Sequence, residues 1–92
     1  MEIRYSRGIM SDLRGGSISR AELAEISRLG LGGDWGEVDR WQKMENSLAA
    51  RTRRGCTFSR YTAGNGKPLF FIHRFGAEPA DDSGLFLYVT EY

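Results

Sequence analysis

Residues Arg51 to Phe75 read RTRRGCTFSRYTAGNGKPLFFIHRF, and how this stretch pairs with itself decides the fold. The runs Cys56 to Tyr61 and Leu69 to Phe75 are strand-like and flank Gly64-Asn65-Gly66, where Asn-Gly is a strong short-range hairpin signal. Taking Asn65-Gly66 as a two-residue turn places Phe58 opposite His73 and Tyr61 opposite Phe70. Pro68 beside the turn fits a strand start or an edge. A third run, Leu85 to Tyr92, follows the polar loop 76 to 84 and completes an antiparallel meander. Alternation along the strands then collects Phe58, Leu69, Phe71, Phe75, Leu85, Leu87 and Val89 on the face that helices should cover. Tyr61, Phe70, Ile72, Phe86, Tyr88 and Tyr92 fall on the other face. A half-covered sheet normally carries polar residues there, so the N-terminal segment or a second copy of the chain, as a homodimer, is expected to cover it.

The helices come before this hairpin. Ser19 with Glu22 forms a capping box, and Ile18 can staple onto Leu23. Leu23, Ile26 and Leu29 make the apolar face, and Gly30 reads as the residue that stops the helix. Asp34 with Glu37 reads as the cap of a second, longer helix that Gly55 ends. On its wheel Trp35, Val38, Trp41, Leu48 and Ala49 point inward, and Arg40, Lys43, Ser47, Arg51 and Arg54 form a stripe on the opposite side. Trp41, Leu48, Phe71 and Leu87 are therefore expected to be buried together. Glu45 falls on the apolar side, where His73 is a candidate partner, beside the plainer reading of a surface carboxylate. Residues 2 to 6 read as a short strand, with an amphipathic helical first turn as the rival, followed by one or two helical turns through Ile9, Met10 and Leu13 that Gly15-Gly16 ends. The expected fold is α+β: two helices on one face of a three-stranded antiparallel meander, with the N-terminal strand as a candidate addition.

Ninety-two residues, 40% hydrophobic and 27% charged, describe one small folded domain. No apolar run is long enough for a membrane span, and the first residues lack the pattern of a signal peptide, so a cytoplasmic location is expected with no membrane contact. One Cys and one His exclude an internal disulfide and the usual zinc cluster, and no metal or cofactor is expected. Cys56 has no evident base or orienting acid, and Gly30 to Gly36 lacks the Gly-Lys-Ser/Thr of a phosphate-binding loop. No catalytic set is evident.

Charge is segregated despite a net value of +1. The 25 residues from 51 to 75 hold six cations and no acid in a chain with 12 acidic residues, which points to an anionic partner rather than to a feature of the fold. The candidate binding residues are Arg40, Lys43, Arg51, Arg53, Arg54, Arg60, Lys67 and Arg74, with Tyr61, Phe70 and Tyr88 as platforms on which unpaired bases could stack. The plainer reading is that these cations solvate an exposed helix face.

The order of elements from Ile18 to Phe75 is similar to that of the winged helix, which implies a recognition helix in the major groove and a hairpin touching the backbone. Asp34, Glu37 and Asp39 stand where base-reading residues would be and depart from that pattern. The order strand, helix, helix, three strands also resembles the small ribonuclease toxins of toxin-antitoxin pairs, for which Arg60, His73, Arg74 and Tyr92 would be the residues to consider. The expected function is binding and not catalysis: a stoichiometric inhibitor or adaptor that docks on nucleic acid or on an acidic surface of a nucleic-acid-handling complex. Phage or mobile-element proteins that block a host defence complex such as CRISPR form the class it would be similar to.

Overall fold

In the computed structural model, which describes all 92 residues, the chain runs β1 (Glu2–Tyr5), α1 (Arg7–Gly15), α2 (Arg20–Leu31), α3 (Arg40–Thr52), β2 (Cys56–Thr62), β3 (Pro68–Arg74) and β4 (Ser83–Tyr88). Short 3-10 turns occupy Pro79–Asp81 and Val89–Glu91. The fold is α+β. Its four strands lie in the order β1-β4-β3-β2, with β2, β3 and β4 antiparallel as a meander and β1 added parallel to β4. The expected N-terminal strand is therefore present, followed by a helix, and the last strand of the chain occupies an interior position.

One face of the sheet is covered by α1 and α2. Ile9, Ile18, Leu23 and Ile26 meet Leu69, Phe71, Phe86 and Tyr88 in a single core, with Ile3, Tyr5, Leu13 and Tyr61 at its margin. Local signals explain why these helices sit where they do. Ser6 and Ser19 cap α1 and α2 by accepting from the Ile9 and Glu22 amides. Glu22 does not complete the expected capping box, because its carboxylate accepts instead from the Gly64 amide in the hairpin turn. Gly30 is not the stop residue either. It lies inside α2 and is buried, where an added Cβ would come within 2.8 Å of Ser59 Oγ and 2.9 Å of Phe71, so its function is close helix–sheet approach.

Two of the three expected strand facings are corrected. On β3 the reading holds: Leu69 and Phe71 face the helices, and Phe70 and Ile72 face away. On β2 the register is shifted by one residue, so that Phe58 lies opposite Ile72 and Tyr61 opposite Leu69. The cause is the turn. Ala63 and Gly66 close a β-turn around Gly64-Asn65, and Gly66 follows with φ +83, the three-residue loop with a left-handed glycine rather than a two-residue Asn-Gly turn. On β4, Phe86 and Tyr88 enter the core while Leu85 and Leu87 take the opposite face. The segment Leu-Phe-Leu-Tyr-Val is apolar at every position, so its composition does not fix its phase.

The largest correction concerns α3. Asp34 does not cap it; Asp39 does, accepting from the Gln42 amide at 2.8 Å, and α3 starts at Arg40. Residues Trp35 to Glu37 instead run beside β2, where the Arg60 amide donates to the Trp35 carbonyl and the Glu37 amide donates to the Arg60 carbonyl. Gly36 has φ +69 and lies so close to the Arg60 carbonyl and the Tyr61 ring that no side chain fits. Helix α3 packs on β2 along its edge, with Asn46 and Ala49 as its buried residues. Asn46 is fully enclosed; its Nδ2 donates to the Phe58 carbonyl at 2.8 Å, and its Oδ1 accepts from the Phe58 amide at 3.0 Å. Trp41 and Leu48, expected in the core, are 72% and 55% exposed.

Two stability measurements check this arrangement. Replacing Asn46 by Ala strands both backbone groups of Phe58 in a closed site, and urea unfolding should show a loss of about 2 to 4 kcal/mol, against less than about 0.5 kcal/mol for Trp41→Ala. Ser59 Oγ is the one enclosed side-chain polar atom without a hydrogen-bond partner. Ser59→Ala removes that cost and should leave stability unchanged or raise it by about 1 kcal/mol.

Candidate partner-binding surface

The eleven residues singled out in the sequence separate into three groups. Arg40, Lys43 and Arg51 lie on the outer side of α3, and Arg54 follows its C-terminal cap. All four are exposed, and none makes an ion pair or a side-chain hydrogen bond. Beside this stripe, Trp41, Met44 and Leu48 follow one another at spacings of three and four, and Met44 is 57% exposed. Wheel reasoning missed this ridge because it assigned the apolar side of α3 to the core. The orientation is set instead by Asn46, which reaches the strand backbone, and by Ala49, which is small enough to let the helix approach.

Arg60, Phe70 and Arg74 belong to the second group, on the sheet face that no helix covers. Arg60 and Arg74 are likewise free of ion pairs, and Phe70 joins Phe58 and Tyr92 in an edge-to-face cluster with centroid distances of 5.4 to 6.1 Å. With Ile72, Leu85 and Leu87 these rings make the apolar floor of that face. The aromatic surface expected from the sequence thus exists with different members: Phe58 replaces Tyr61, and Leu85 and Leu87 replace Phe86 and Tyr88. A cleft of about 520 Å³ separates this floor from α3, and Glu37, Asp39 and Glu45 stand along it.

The third group is occupied within the protein. Lys67 pairs with Asp12 at 2.9 Å and lies 5.1 Å over the Tyr88 ring. Tyr88 is buried and its hydroxyl donates to Asp12, so it offers no stacking platform. Burial and the Asp12 carboxylate push the Tyr88 phenol up to about 12, and the bonds from Tyr88 and Lys67 hold the Asp12 carboxyl below its usual value. Tyr61 is half-buried and donates to the Asp34 carbonyl; burial and then the Asp34 charge raise its phenol to about 12.

Arg53 is the most heavily used of these cations. It caps α3 in the left-handed conformation, φ 52, which is uncommon for a residue with a side chain. Its guanidinium donates to Asp82 at 2.7 Å and lies 5.1 Å from the centre of the Phe75 ring. Asp82 also accepts from His73 Nε2 at 2.8 Å and from the Gly76 amide at 2.8 Å. His73 therefore pairs with Asp82 and not with Glu45, which is exposed. Sequence reasoning missed Asp82, because nothing in the polar loop 76 to 84 separates it from Glu78 or Asp81. Burial opposes ionisation of Asp82, but the Gly76 amide, Arg53 and His73 outweigh it and hold the carboxyl far below the usual range.

Helix α3 packs on β2 rather than on α2, so the two helices do not form the helix–turn–helix pair implied by the winged-helix resemblance. No helix is long and apolar enough to cross a membrane. Compared with protein-family models, curated proteins and solved structures, the chain matches none.

Asp82 predicts how stability responds to acid. Its carboxyl titrates lower in the folded state than in the unfolded chain, so its contribution is full above the unfolded value near pH 4 and falls as the pH drops below it. Urea unfolding between pH 7 and pH 3 should show this decline, and Asp82→Asn should flatten it. At pH 7 the same variant should lose about 3 to 5 kcal/mol, because Arg53 and His73 are left without their anion.

Proposed function

We propose that this protein is a stoichiometric binding protein, an inhibitor or adaptor, that docks through the outer face of α3 onto an acidic and partly apolar surface of a nucleic-acid-handling complex. The observation that carries this reading is the pairing of two features on one helix face. Arg40, Lys43 and Arg51 are unpaired, with Arg54 just past the helix end, and Trp41, Met44 and Leu48 project beside them. Aromatic, Met and Arg side chains are the types enriched at protein interfaces, and a Trp with flanking cations has the composition of an energetic centre. Phosphate alone would give Met44 and Leu48 nothing to pack against, so the mixture favours a protein partner. By analogy of size and surface, the class is that of phage or mobile-element proteins that block host defence complexes such as CRISPR.

Direct contact with single-stranded nucleic acid is the second reading, and it rests on the open sheet face. There Arg60 and Arg74 are free of ion pairs and stand beside Phe58 and Phe70, the combination of cation and ring that strand-tracking surfaces use.

Capture from a nuclease-treated lysate of the producing cell separates these readings. Wild-type protein should retain a defined partner that Trp41→Ala and the double variant Lys43→Glu, Arg51→Glu each lose, with thermal stability changed by less than about 0.5 kcal/mol. Undiminished capture by both variants would overturn the α3 reading. A gel shift by wild type that weakens as salt rises, and that Arg60→Ala with Arg74→Ala abolishes, would favour the second.

A further inference from the structure

A second cleft lies on the covered side of the sheet, between the C-terminal end of α2, α3 and the start of β2, with a volume of about 260 Å³. That is room for one ring and less than a drug-sized ligand needs. Its polar lining comes from Arg53, Thr57 and His73, and the last two are direct cross-strand partners with their side chains on the same face. Both are more than nine-tenths buried, with exposures of 2% and 8%. The Thr57 hydroxyl makes no hydrogen bond within the protein, and Ser59 Oγ is the only such atom that is also sealed from outside. His73 uses Nε2 on Asp82 and has no protein partner for Nδ1. Two cross-strand neighbours that line one small space thus each keep a polar atom that makes no hydrogen bond within the protein and is open to a partner from outside.

The chemistry of the pair fixes what suits it. An ionised Asp82, already accepting from Arg53 and Gly76, can only accept from His73, so Nε2 carries a proton, and whenever the ring is neutral Nδ1 is an acceptor. The Thr57 hydroxyl next to it is free to donate. A ligand that satisfies both offers an N–H beside a carbonyl. A bare oxyanion does not, since it would meet the Nδ1 lone pair with the Asp82 charge behind it. Trp35 and Phe75 also line the cleft, and flat aromatic surfaces favour a planar ring. Arg53, over Phe75, has further N–H donors for a second carbonyl.

We propose that this cleft binds a planar heterocycle through its lactam edge, the edge carried by uracil and guanine, with Thr57 donating to the ring carbonyl and His73 Nδ1 accepting from the ring N–H. The ring belongs to a free nucleoside or to a base of a single strand. The site shares no residue with the outer face of α3, so its test is separate from that of the proposed function.

NMR titration of the full chain, following the His73 imidazole and the Thr57 amide, decides the matter with uridine, 3-methyluridine and oligouridylate as probes. Uridine should give saturable shifts at both residues, and 3-methyluridine, which lacks the ring N–H, should give none. Thr57→Val should weaken uridine binding by about tenfold, the loss of one hydrogen bond, while Thr57→Ser keeps the hydroxyl and the affinity. Lys43→Glu should bind uridine as wild type does. Oligouridylate shifting the same two residues at least tenfold more tightly than uridine identifies a strand as the source, and equal or weaker binding identifies the nucleoside. No saturable shift with uridine or guanosine up to about 10 mM, or equal binding of 3-methyluridine, overturns the proposal.

Discussion

An edge strand presents backbone donors and acceptors that must find partners or water, and in this protein the outer edge of β2 is closed by two different devices. Asn46 satisfies both groups of Phe58 from a helix, and the strand-like segment at Trp35 to Glu37 satisfies both groups of Arg60. The rest of the N-terminal half is arranged to make this possible. A primary amide can donate and accept at once, so one side chain replaces a neighbouring strand residue. Holding that amide against the strand sets the rotation of α3, and the rotation sends Trp41, Met44 and Leu48 outward. The exposed apolar ridge is thus a consequence of edge closure and not a defect of packing.

This also explains which parts of the fold were legible in the sequence. The β3 facing and the Ser19 cap were readable because each rests on local chemistry that admits one answer, whereas the short run 2 to 6, a strand in the structure, left a strand and a helical turn both open. The register of β2 turned on whether Asn65-Gly66 or Gly64-Asn65 holds the centre of the turn, a choice that Gly66 makes by adopting a left-handed conformation. The phase of β4 was hidden by five consecutive apolar residues. For α3, hydrophobicity argued for Trp41 and Leu48 inward, and a long-range backbone requirement, which no periodicity reports, won instead.

The candidate site was legible in part for the same reason. Arg40, Lys43 and Arg51 are spaced so that any helix phase keeps them together, whereas Arg54 lies beyond the helix end, where helix phase no longer places it. Arg53 and Lys67 belong to the same basic stretch but are consumed by Asp82 and Asp12, acids 29 and 55 positions away in the chain. Charge counting sees the cations, and only the fold supplies their partners.

The position of β4 has a consequence for how the chain is made. It is the last strand in the sequence, yet it lies between β1 and β3, and Glu91 just beyond it accepts from Ser6, Gly8 and Tyr88. During synthesis the first strand therefore has no sheet neighbour, and the core under α1 stays open, until Tyr88 has left the ribosome. The first strand and α1 must wait, with the apolar face of α1 uncovered, for the strand that joins them to the hairpin.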